Sequence, residues 1–97
     1  MEKIVFGSST WGRAFSSKDN AWTVQTQLEG DCILKLRLSK RGRVAIRKSN
    51  TGGSPWPVVL MSPPTEDAEI YIYGETKGKH IRIQTAEQPT LCELYGV

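Results

Sequence analysis

Ninety-seven residues carry a formal net charge of +3, with 38% hydrophobic and 24% charged side chains. That is the length of one domain with one core, too apolar for a disordered chain. No apolar run approaches the ~20 residues of a membrane helix, so no membrane partner is expected.

In chain order, the opening MEKIVFGSSTWG has an apolar run only from Ile4 to Phe6. It is no secretory signal and points to cytoplasmic synthesis. Period-two alternation then recurs along the chain, and no window holds the i, i+3, i+4 spacing of a helix. Strands are expected at 2–6, 21–27, 32–38, 43–48, 57–61, 68–73, 79–85 and 91–95. Residues 7–20 form a connection with room for one short extra strand, and SNTGGSPW at 49–56 is a loop. Seven or eight short strands at such spacing indicate an all-β antiparallel sandwich of jelly-roll or immunoglobulin-like kind. The whole of 1–97 is one such domain.

Cys32 and Cys92 fall in apolar strand-like runs, where free cysteine behaves as a small buried hydrophobe. With the single histidine, His80, they make no zinc site, and no cofactor is expected.

Charge is strongly segregated. Residues 33–48, ILKLRLSKRGRVAIRK, hold seven of the thirteen Lys and Arg and no acid. Residues 49–76 hold Glu66, Asp67, Glu69 and Glu75 and no base. Two local hairpins account for the alternation. In the first, Leu38 pairs with Val44 and Leu36 with Ile46 around a Lys40-Arg41-Gly42 loop. Its outer face then carries Lys35, Arg37, Arg43 and Arg47, with Lys35 directly across from Arg47, a like-charge pair that opposes sheet formation. In the second, Ile72 pairs with Ile81 and Ile70 with Ile83. Tyr73 then meets His80, Tyr71 meets Arg82 and Glu69 meets Gln84 on the outer face. Glu66 and Asp67 sit in a Pro-preceded turn.

No catalytic set assembles. His80 is flanked by Lys79 and Arg82, Ser8 and Ser9 stand outside a G-x-S-x-G elbow, and TGGS lacks a P-loop lysine. The expectation is a non-enzyme with a binding or interface surface. Its candidate residues are Lys35, Arg37, Arg43, Arg47, Tyr71, Tyr73, His80, Arg82 and Trp56, with the acids Glu66, Asp67 and Glu69. Three partner classes fit. Another copy or another assembly protein would meet the basic hairpin with an acidic surface. A glycan would stack on Trp56, held between Pro55 and Pro57. Single-stranded nucleic acid fits less well, because the basic hairpin contains no aromatic residue.

The series of N-terminal strand, ILKLRLSKRGRVAI, SNTGGSPW, acidic turn and EIYIYGETKGKHIRIQT resembles small β-sandwich decoration and accessory proteins of tailed-phage virions. The resemblance implies a virion-associated, oligomeric, non-enzymatic component and carries over no functional residue. The expected function is a structural or adhesive module working in a homo-oligomer or larger assembly. Carbohydrate binding is the alternative, then nucleic-acid binding.

Overall fold

The computed structural model describes residues 3–13 and 21–97. Its strands are β1 (Ile4–Val5), β2 (Gly12–Arg13), β3 (Trp22–Gln27), β4 (Cys32–Gly42), β5 (Val44–Ser49), β6 (Val58–Met61), β7 (Thr65–Ile72), β8 (His80–Thr85) and β9 (Pro89–Gly96). One 3-10 turn, Ser8–Thr10, lies between β1 and β2. Each expected strand has a counterpart, and the short extra strand is β2. The remainder of that connection, 14–20, and Glu2 of the first expected strand lie outside the described residues. Among the described residues no helix is long and apolar enough to cross a membrane.

Two antiparallel sheets form, ordered β1-β9-β4-β7 and β2-β3-β8-β5-β6. Their pairing is nested: β1 with β9, β3 with β8, β4 with β7, and β5 with β6. Among the described residues only β2 with β3 and β5 with β6 pair as consecutive strands; the other pairs join strands far apart in the chain. Alternate residues of each strand point inward, as a half-buried pleat requires. The inner layers meet in one core, where Leu34, Val44, Ile46, Ile81, Ile83 and Leu94 are all 0% exposed.

Both expected hairpins are corrected by this arrangement. β4 and β5 are consecutive but belong to different sheets, so Leu36 faces Cys92 and Ala68, and Ile46 faces Ile83 and Leu60. β7 and β8 are likewise split: Ile72 pairs with Cys32 and Ile70 with Leu34, while Ile81 pairs with Lys48 and Ile83 with Ile46. The reason is geometric. A hairpin sets two apolar faces side by side, whereas an arch between sheets sets them face to face. Both demand the same alternation along the chain.

The crossing between sheets also replaces the expected Lys40-Arg41-Gly42 loop. β4 continues through Gly42, and Arg43 alone separates it from β5. Register shifts after Arg37 against both neighbours let β4 bend away from the first sheet, as bulges do. Glu66 and Asp67 lie within β7 instead of a turn. At the far end of β6, the buried Ser62 hydroxyl accepts the Val44 N–H at 2.9 Å and locks the edge strand to β5.

Cys32 and Cys92 are free, buried thiols on neighbouring strands. Cys32 sits opposite Gly96 and Cys92 opposite Leu36. The four-residue offset along the ladder separates them by about 13 Å, too far for a disulfide. Burial, then Asp31, raises the Cys32 thiol to about 11; burial, then Glu93, raises Cys92 to about 12. Neither thiol is therefore expected to react with an alkylating reagent at pH 8 in the folded chain, whereas both react in urea; mass spectrometry of the adducts checks this. Because the folded-state values lie above the unfolded thiol value, this contribution to stability is complete below that value. It is lost as pH climbs towards 11–12.

Candidate binding face

The two sheets divide the charge unequally. In the first, β4 carries Lys35, Arg37, Lys40 and Arg41, answered by Glu66, Asp67 and Glu69 of β7 and Glu93 of β9. In the second, the strands carry Arg13, Arg47, Lys48 and Arg82 and contain no Asp or Glu. The basic run 33–48 is cut in two by the arch, and only its first half lies among acids.

On the outer face of the first sheet Lys35 stands between Glu69 and Glu93. Arg37 Nε donates to Asp67 Oδ1 at 2.8 Å. Both partners of that pair are well exposed, so it adds little stability. Lys3 pairs with Glu93, and the Tyr95 hydroxyl donates to Glu93 Oε1 at 2.9 Å. Lys3 first, then Tyr95, hold the Glu93 carboxyl below its ordinary range. Lys3 and Lys35 also sit over the Tyr95 ring, at 5.5 and 5.3 Å from its centre. This face neutralises itself, and the expected Lys35–Arg47 opposition is absent.

On the second sheet Arg47 lies directly opposite Arg82. A like-charge pair has moved there. Both arginines are half-buried residues and, among the described residues, are held by neutral groups only. Arg47 Nε donates to Gln84 Oε1 at 2.7 Å and Arg47 Nη1 to the Trp56 carbonyl at 3.0 Å. Arg82 Nε donates to Gln25 Oε1 at 3.0 Å, and its guanidinium carbon lies 4.1 Å from the centre of the Trp56 ring. Among the described residues no carboxylate pairs with either arginine.

The loop ahead of Trp56 is tied to the end of β5. Ser49 is buried at the end of β5, and its hydroxyl accepts the Thr51 and Gly52 N–H groups at 3.3 and 3.1 Å and donates to the Gly53 carbonyl. Gly52 takes a φ of +86°, and a Cβ there would stand 3.2 Å from the His80 ring. His80 has the outward parity expected of it, in line with Arg82 and Gln84, and is half-buried under this loop, opposite Ser49 and Gln27.

The expected site residues therefore separate into groups. Arg47, Arg82, Trp56 and His80 come together on the second sheet. Lys35, Arg37, Asp67, Glu69 and Tyr71 share the outer face of the first sheet, where Tyr71 lies opposite Ile33 and donates to Glu69. None of the expected Tyr71–Arg82, Tyr73–His80 and Glu69–Gln84 pairs forms, because β7 and β8 lie in different sheets. Met61, Tyr71 and Tyr73 all line a shallow groove of about 650 Å³ between the edge strands β6 and β7. Exposed Arg43 marks the crossing between sheets, and exposed Glu66 lies near the start of β7. Sequence reading missed Gln25 and Gln84. Their signal was the outward parity of WTVQTQ and HIRIQT, which the two arginines overshadowed. Among the described residues no cluster of three His, Cys, Asp or Glu could hold a metal ion. No known protein family, curated protein or solved structure matches the chain.

Proposed function

We propose that this chain is a non-catalytic adhesive module that grips an anionic partner on the outer face of its second sheet, as part of a larger assembly. The observation that carries the reading is the Arg47–Arg82 pair. Two half-buried arginines are aligned by glutamines, a carbonyl and an indole, and their mutual repulsion is left for an outside anion to relieve. The acidic strand β7 already faces β4 of the same chain, so the reading puts the partner's negative charge on another molecule. A homo-oligomeric form needs such a surface on a second copy, and light scattering at low and high salt tests it.

The fold reading that goes with this proposal is a jelly roll. With the two-residue β2 set aside, eight strands remain in nested pairs, the first with the last and so inward, which supports a jelly roll over an immunoglobulin-like order. Jelly rolls serve in virus particles and in lectins, and a multi-copy virion is one setting for an adhesive module. That is analogy at the level of the fold.

The direct test compares two double variants with equal loss of charge, Arg47→Gln with Arg82→Gln and Lys40→Gln with Arg41→Gln. On a column bearing an anionic polymer, the first should lose retention and the second should keep most of it. Equal loss in both would show that net charge alone is felt, contrary to the proposal.

A further inference from the structure

We infer that the anion held on this face is a carboxylate of an acidic polysaccharide; this names the ligand of the binding face proposed above and rests on that reading. A guanidinium offers five N–H donors in a planar fork. The internal hydrogen bonds use two of them on Arg47 and one on Arg82, leaving three and four for a ligand. A planar carboxylate takes two parallel donors from such a fork. Gln84, Gln25 and the Trp56 carbonyl fix the forks before any ligand arrives, so little ordering entropy is lost on binding.

The surroundings of the arginines select among anionic polymers. Gln25, Gln27 and Gln84 share the outward parity of β3 and β8, so the basic pair lies among amides. Such groups both donate and accept, as sugar hydroxyls require. Single-stranded nucleic acid asks for successive aromatic platforms. Here Trp56 carries the Arg82 guanidinium on its ring, and Trp22 of β3 packs on the core. An acidic peptide would be anchored by a free sheet edge or by apolar pockets. Arg47 and Arg82 belong to β5 and β8, both interior strands of their sheet. A polyhydroxylated, carboxylated chain lying across the face satisfies both the forks and the amides.

The test uses the full chain and immobilised polygalacturonate, with neutral dextran, polyglutamate and oligo-dT as comparators. Polygalacturonate should be retained over the other three. Methyl esterification of its carboxylates, which leaves the protein untouched, should lower affinity at least tenfold. Arg82→Lys, which keeps the charge and removes the fork, should do the same while circular dichroism stays unchanged. Retention of polyglutamate or oligo-dT equal to polygalacturonate, through the same arginines, would overturn the polysaccharide and leave the binding face standing. Binding indifferent to esterification would overturn the carboxylate. Absence of binding to all three anionic polymers would overturn both the inference and the reading beneath it.

Discussion

Truncation of Ile83 to alanine is expected to cost about 3 kcal/mol, and so to lower Tm by about 15 °C in a domain of this size. Ile83 is fully enclosed at the centre of β8, between Val24 of β3 and Ile46 of β5, facing the inner layer of the other sheet. Alanine removes three carbons there, and a cavity between two sheets collapses poorly because each sheet is held by its own ladder. A domain this small has only about 5–15 kcal/mol in total, so the loss is a large share. Ile33, one residue from the equally buried Leu34 but on the outer face of β4, should tolerate alanine with a loss below about 1 kcal/mol. Urea unfolding of both variants checks the contrast. A cost at Ile83 no larger than at Ile33 would mean that the inner and outer faces are misassigned.

Valine at Gly52 should cost about 2–3 kcal/mol, through backbone strain and a clash together. The φ of +86° is open to glycine and hostile to a β-branched residue, and the new Cβ would press on the His80 ring. The same loop leads into Trp56, whose carbonyl and indole brace Arg47 and Arg82. The substitution should therefore lower both the unfolding midpoint and retention on an anionic polymer. Gly53, whose φ is ordinary and whose Cβ would meet only the Thr51 hydroxyl at 3.9 Å, is the control and should accept alanine. Equal effects at the two glycines would contradict the packing of the loop on His80.

Element by element, the strands were legible because alternation reports the pleat. CILKLRL and HIRIQT name their inward residues correctly whichever partner they find. Pairing was not legible, because nested antiparallel pairs such as β3 with β8 join residues far apart in the chain, and no local turn announces them. The gap between β4 and β5 misled for a physical reason: Lys40-Arg41-Gly42 has the composition of a tight turn, yet serves as the end of a strand bending between sheets. That error displaced the site. The like-charge opposition expected between Lys35 and Arg47 exists instead between Arg47 and Arg82, while Lys35 lies between two acids. The candidate face was thus half visible: its arginines and Trp56 were singled out, but their common sheet and the glutamines that align them depend on long-range register.

Double-mutant cycles on cross-strand charges test this account most directly. Glutamine substitutions at Arg47 and Arg82, singly and together, should show a repulsive coupling of about 0.5–1 kcal/mol at low salt, shrinking as salt is added. The same cycle for Lys35 with Glu69 should be attractive, and Lys35 with Arg47 should show almost no coupling. Repulsion between Lys35 and Arg47, with none between Arg47 and Arg82, would restore the local hairpin and contradict the two-sheet division of charge.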